Sequence, residues 1–218
     1  MHLSSTAIAL TLATLSSALP AYSAPTPPSG CTTACTPPPS SSPTCTPSSP
    51  PTPSPCPPTP NVIRPKALSQ YDVWTGAVRY RASHGKIFKD GRTTDVSTLL
   101  TFDFPPESQG KTCRFVFDLA ADPSATVSGS AQFDVFTSQA PATRNADTWP
   151  SGNLRDHHIG RMAAKPGAPA TWVPGFPTFG QSFPCPAGKT YGAELVGTGD
   201  IDHIEWLASA PVAYIAWQ

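Results

Sequence analysis

The sequence predicts an all-β protein: an antiparallel two-sheet sandwich of jelly-roll type, preceded by a signal peptide and a disordered Pro/Ser/Thr-rich stalk. Three observations carry this expectation. No Lys, Arg, Asp or Glu occurs before Arg64, so the first sixty positions lack the composition of a folded domain. Beyond them, short runs alternate apolar and polar residues with the period of two that a half-buried strand imposes. Long helical periodicity is absent, and turn residues separate the runs.

Residues 3–19 are apolar apart from interspersed hydroxyls. The stretch is too short and too rich in Ser and Thr to span a bilayer, which takes about 20 apolar residues. Small residues follow where a signal peptidase cuts, after Ala18 or near Ser23, so residues 1–23 read as a signal peptide with no membrane span left after cleavage. Residues 24–60 are almost entirely Pro, Ser, Thr and Cys. Proline fixes φ and removes amide donors, so an extended, O-glycosylated stalk is the expected state. Its cysteines, Cys31, Cys35, Cys45 and Cys56, have no His or carboxylate beside them. They can form two local disulfides in any of three connectivities, or cross-link neighbouring chains in a cell wall.

Residues 61–218 remain as one domain, long enough to bury roughly 70% of its unfolded surface. Leu100, Phe102 and Phe104 share one strand face. Cys113, Phe115, Phe117 and Leu119 repeat the pattern, as do Phe133 with Val135 and Tyr191 with Ala193 and Leu195. Ile204 to Leu207 and Val212 to Trp217 supply the last strands. Turns are expected at Asp90-Gly91, Pro105-Pro106, Asp122-Pro123, Ser151-Gly152, Pro174-Gly175 and Ala187-Gly188. Trp74, Trp206 and Trp217 are expected in the core.

The 14 basic and 14 acidic residues cancel, which gives no electrostatic reason for a nucleic-acid partner. Locally, basic residues dominate from Arg64 to Arg92, with Lys66, Arg79, Arg81, Lys86 and Lys89. Acids dominate later, with Glu194, Asp200, Asp202 and Glu205. Both runs read as solvated strand faces and loops. Cys113 and Cys185 are the domain's only cysteines, and an exported chain meets an oxidising compartment, so the two are paired. The competing reading is a catalytic thiol, against which Cys185 lies between two prolines and lacks a neighbouring His.

Four stretches resemble a known family: Thr98-Leu99-Leu100-Thr101-Phe102-Asp103-Phe104-Pro105; Gly110-Lys111-Thr112-Cys113-Arg114-Phe115-Val116-Phe117; Phe183-Pro184-Cys185-Pro186-Ala187-Gly188; and Gly199-Asp200-Ile201-Asp202-His203-Ile204-Glu205-Trp206. With Gly152-Asn153-Leu154-Arg155-Asp156 they are similar to the C-terminal domain family named after the fungal ubiquitin-three-binding protein, the "But two" type, over roughly residues 62–218. The resemblance implies a fungal, mostly secreted or cell-surface β domain without an established enzymatic activity. The family name implies binding to a subunit of a ubiquitin-like-activating enzyme. No site residues come with it.

Three groups of residues suggest chemistry. Asp200, Asp202 and Glu205 are similar to the Glu-x-Asp-x-x-Glu signature of jelly-roll β-glucanases, although a retaining mechanism wants its carboxylates about 5 Å apart and Asp200 is one methylene short. His157 and His158 could ligate a metal, but adjacent strand residues face opposite ways, and surface-loop histidines are the preferred account. Trp149, Trp172, Phe176 and Phe179 lie in stretches that read as loops, where aromatics can stack on sugars or partners. The function expected is that of a secreted, non-catalytic domain, extracellular or wall-associated, that binds a glycan or protein partner and needs no cofactor or metal. A carbohydrate-active hydrolase and a wall component cross-linked through the stalk cysteines are the alternatives.

Overall fold

The computed structural model describes residues 61–142 and 154–218; the expected signal peptide, the expected stalk with its cysteines, the turn expected at Ser151-Gly152 and Trp149 lie outside them. The described chain is nearly all strand: β1 (Asn61–Ile63), β2 (Ala67–Asp72), β3 (Val78–Arg79), β4 (His84–Lys89), β5 (Val96–Asp103), β6 (Thr112–Phe117), β7 (Thr126–Gly129), β8 (Gln132–Ser138), β9 (Arg155–Lys165), β10 (Ala168–Trp172), β11 (Phe183–Pro184), β12 (Thr190–Gly197), β13 (Asp202–Leu207) and β14 (Ala213–Trp217). Three short 3-10 turns are the only helical elements among the described residues.

All the strand pairs are antiparallel, and they form two sheets. The smaller runs β1-β14-β6-β11. The larger runs β10-β9-β8-β12-β5 and continues through β4 to β13 and β7, while β2 also pairs with β5 and carries β3 at its side. Only one pair of residues, Phe88 and Val96, joins β4 to β5. The ladder is completed there by Thr98, whose hydroxyl bonds both the amide (2.7 Å) and the carbonyl (2.8 Å) of Lys86. The sheet can therefore curl at this seam without leaving buried backbone groups unpaired.

The alternation read from the sequence turns Phe115, Phe117, Ala213 and Ile215 of the small sheet toward Leu100, Phe102, Phe133, Val135, Leu195, Ile204 and Trp206 of the large one. At the centre, the Phe117 ring meets Trp206 edge-on at 5.0 Å and Phe133 at 4.8 Å. Gly85 makes room for this cluster, because a Cβ there would stand 2.1 Å from the Trp206 ring. Trp217 is half-buried against the same core. Trp74 departs from expectation: it is 65% exposed. It follows β2 in a turn where Asp72 accepts from the Thr75 amide and Thr94 from the Trp74 amide, so the turn is held by its own polar groups rather than by the indole.

The outer face of the large sheet holds a second, smaller cluster. Register places Ser69, Leu99, Glu194, Phe136 and His158 in one row across β2, β5, β12, β8 and β9. Tyr71, Leu99 and Ala142 are buried there, with Leu154 and Tyr80 packed beside them. Glu194 is thus no solvated acid but fully buried. Both its oxygens are bonded, Oε1 by the Ser97 hydroxyl at 2.6 Å and Arg155 Nη2 at 2.8 Å, and Oε2 by Arg155 Nε at 2.9 Å. Burial works against the Arg155 charge, but the hydrogen bond and the charge of Glu194 outweigh it and raise the guanidinium pKa.

Removing one partner of such a pair leaves a buried charge uncompensated, which costs about 3–5 kcal/mol. Arg155→Met should lower the urea midpoint accordingly, and adding Glu194→Gln should restore most of the loss because the remaining group is neutral. A double variant no more stable than Arg155→Met would show that the pair does not hold this face.

Candidate functional site

The three expected carboxylates do not converge. Along β13, Asp202, Ile204 and Trp206 point inward while His203, Glu205 and Leu207 point outward. Asp202, read as exposed, is fully buried. Its Oδ1 accepts from the Ser130 amide (2.9 Å) and hydroxyl (2.5 Å), and its Oδ2 from the Gly199 amide (2.6 Å). The carboxylate thereby ties the β7–β8 turn to the β12–β13 turn. Glu205 lies on the other face, 2.9 Å from His203 Nε2 and 3.6 Å from Lys86 Nζ. Asp200 is exposed in the preceding turn. Two carboxylates on opposite faces of one strand cannot flank one glycosidic bond.

His157 and His158 belong to β9, the longest strand, rather than to a surface loop. A register shift between Val135 and Phe136 interrupts the alternation here, which hides the strand in the sequence. His157 is exposed, whereas His158 is half-buried in a ladder of rings and cations. Its imidazole lies 4.9 Å from Phe136 and 6.2 Å from Phe176, with Arg155 over the first ring and Arg161 over the second. His158 Nε2 approaches Asp134 Oδ1 to 3.1 Å but out of line for a hydrogen bond, while Arg161 grips both oxygens of Asp134. Among the described residues no three His, Cys, Asp or Glu side chains group closely enough to hold a metal ion.

Of the aromatics, Trp172 ends β10 rather than lying in a loop, and its ring fills the space above Gly160 and Gly180, where a Cβ would stand 2.3 Å away. Phe176 is covered by Arg161 at 4.0 Å. Phe179 is different. It is 69% exposed at the start of a 3-10 turn (Phe179–Gln181) whose Gly180 rests on the Trp172 ring.

Phe179 stands at the mouth of an apolar cleft of about 250 Å³. Phe115 and Ile215 of the small sheet line one side; Phe102, Val135, Ile159 and Ala193 of the large sheet line the other. Phe104 anchors it, meeting Phe183 at 6.5 Å and the half-exposed Tyr191 at 6.0 Å, both edge-on. Pro184 and Pro186 complete the wall, and no lining side chain is charged. That wall belongs to the segment 183–188, which is clamped on two sides. Cys185 is disulfide-bonded to Cys113 of β6, and its amide donates to Lys111. Phe104 exchanges bonds with Gly188 and Lys189, where Gly188 takes the positive φ of 72° that the turn requires. The cleft is a preformed concave apolar surface with exposed rings at its rim.

The family model of the ubiquitin 3 binding protein But2 C-terminal domain matches residues 78–210. The chain belongs to that family. No curated protein matches the chain. The match begins at β3 and ends before β14, so β1, β2 and β14 complete the sheets of this But2 domain from outside the matched region. The cleft uses residues of both parts, since Ile215 lies beyond the match.

Sequence reasoning reached Phe179 and the Cys113–Cys185 pair but treated Phe104, Phe115 and Tyr191 as strand faces. Only the meeting of the two sheets turns those faces into a cleft. The sole local signal was the pair of prolines around Cys185, which marks a wall segment that cannot extend a ladder.

Several carboxylates are held below their ordinary range by donors: Asp72 by the Thr94 hydroxyl, Asp103 by Lys66, Asp122 by Ser124, and Glu205 by His203. A lowered folded-state pKa means the unfolded chain binds protons first, so this stability is complete above the ordinary carboxylate range and lost as pH falls through it. The urea midpoint should therefore drop steadily from about pH 5 to pH 2.5, and Glu205→Gln should flatten part of that slope. A midpoint independent of pH across this window would contradict the assignment.

Proposed function

We propose that this But2 domain is an extracellular, non-catalytic protein-binding module that seats an apolar segment of its partner in the aromatic cleft. The observation that carries the reading is the cleft itself, about 250 Å³, lined without a charged side chain and rimmed by the exposed ring of Phe179. A sugar can lay its C–H face on an aromatic ring, but the hydroxyls around its edge need donors and acceptors, and this lining offers little beyond Thr137 and the Tyr191 hydroxyl. An aliphatic or aromatic side chain of a partner needs none, and burying one contributes about 1.5–3 kcal/mol. The family's name, that of a protein-binding protein, supports a protein partner in general terms. An extracellular location is supported by the leader-like residues 3–19, by the Pro/Ser/Thr-rich stretch after them, and by the Cys113–Cys185 disulfide, a bond characteristic of oxidising compartments.

Selection of displayed random peptides on the full chain tests the reading. Enriched peptides should share adjacent aromatic or aliphatic residues, and Phe179→Asp should weaken them about tenfold or more without unfolding the domain. Peptides indifferent to Phe179→Asp would contradict the cleft. Failure to enrich any peptide, together with retention of the chain on insoluble chitin, β-glucan or mannan, would favour a glycan partner instead.

A further inference from the structure

The wall of the aromatic cleft borders a second surface of opposite character. β11 is the edge strand of the small sheet and only two residues long. Its Phe183 and Pro184 line the aromatic cleft and also an adjoining hollow of about 450 Å³, whose other lining includes Gln109, Lys111, Thr112 and Ser182. Thr112 and Ser182 in turn border a hollow of about 220 Å³ that holds Arg114 and Gln181. Strand alternation produces this change of character. Phe115 of β6 points inward and lines the cleft, whereas Thr112 and Arg114 are exposed on the other face.

Lys111 and Arg114 are both exposed, and they differ from the cations built into the sheets. Lys66, Lys86, Lys89 and Arg161 each have a carboxylate partner. The side chains of Lys111 and Arg114 make no hydrogen bond or ion pair among the described residues, and no acidic side chain lines either hollow. Their backbones are nevertheless fixed. The Lys111 amide donates to Ser108 and its carbonyl accepts from the Cys185 amide, while Arg114 follows the disulfide-bonded Cys113 on β6. Two unpaired cations are thus held beside the mouth of an uncharged cleft. Charges so placed steer and orient a ligand of opposite sign.

We propose that the partner segment seated in the aromatic cleft is acidic beside its apolar anchor, and that it crosses β11 to lay its carboxylates against Lys111 and Arg114. This rests on the cleft reading above and adds to it the charge of the partner. Crossing one strand width of about 4.8 Å at about 3.3 Å per extended residue puts the acids within about four residues of the anchor. Gln109, Gln181 and Ser182 supply neutral donors along the way. The N-terminal stretch of this chain does not match the description, since no Asp or Glu precedes Asp72.

Selection of displayed random peptides on the full chain, read for composition, tests this. Among peptides that lose binding to Phe179→Asp, Asp and Glu should be enriched within about four positions of the apolar residues. The double variant Lys111→Glu, Arg114→Glu should keep its urea midpoint, because neither side chain is engaged, and should replace the acidic enrichment by Lys and Arg. For a synthetic copy of one selected peptide, replacing its acids by amides should cost about tenfold in affinity at low ionic strength, the loss expected for two exposed ion pairs. Most of that difference should vanish at about 0.5 M salt. Phe179-dependent peptides without acidic bias, the same bias on the double variant, or amide peptides that bind equally at low ionic strength would each overturn the acidic partner and leave the apolar cleft intact. Absence of any Phe179-dependent peptide would overturn both readings.

Discussion

The segment that walls the aromatic cleft has almost no ladder of its own. Its strand β11 is two residues long, and prolines flank Cys185 on both sides, so hydrogen bonding alone would hold it poorly. The Cys113–Cys185 bond supplies what the backbone cannot. It joins residues 72 apart, and constraining a loop of that size stabilises the fold by about 4 kcal/mol in the chain-entropy description. The same bond holds the segment that carries Phe183, whose ring meets Phe104, so the constraint that secures the edge of the small sheet also shapes the mouth between the sheets. Trp172 does comparable work from the other side by supporting the turn that presents Phe179.

Behind this mouth the sandwich is held by a division between its two faces. The inner face follows the hydrophobic alternation, and Trp206, Phe117 and Phe133 lock the sheets together. The outer face of the large sheet solves a harder problem, because the central strands β5 and β12 are buried on both sides. A carboxylate in that layer is tolerable only with both oxygens directed to donors, and Arg155 and Ser97 meet that requirement for Glu194. Asp202 does the same at the edge, where it joins two turns. Of the three acids that look like chemistry in the sequence, Asp202 is therefore the one committed to structure.

Legibility followed from how local each feature is. The all-β class, the strands around Phe102, Phe115, Phe133, Leu195 and Ile204, and the Asp90-Gly91 and Ala187-Gly188 turns rest on nearest-neighbour alternation and turn chemistry, which a single sequence displays. Strand β9 was hidden because a bulge breaks its period and two adjacent histidines suggest a loop. Glu194 and Asp202 were misread because charge is a poor guide to burial when a partner comes from a distant strand; Arg155 is 39 residues from Glu194, and Ser130 is 72 from Asp202. Trp74 shows the converse, a large ring left outside by a turn that satisfied itself. The cleft was the least legible feature, since it belongs to no strand and exists only where two sheets part.

The central claim is that this cleft stands open in the free protein and receives apolar groups. Carbon-13 NMR of the aromatic side chains, recorded while indole is titrated into the full chain, tests it most directly. Saturable shifts confined to the lining rings Phe102, Phe104, Phe115, Phe179, Phe183 and Tyr191, with Phe117 and Phe133 of the closed core unmoved, are the result this account expects. Shifts that are absent, or spread without saturation over exposed rings such as Trp74, would contradict it.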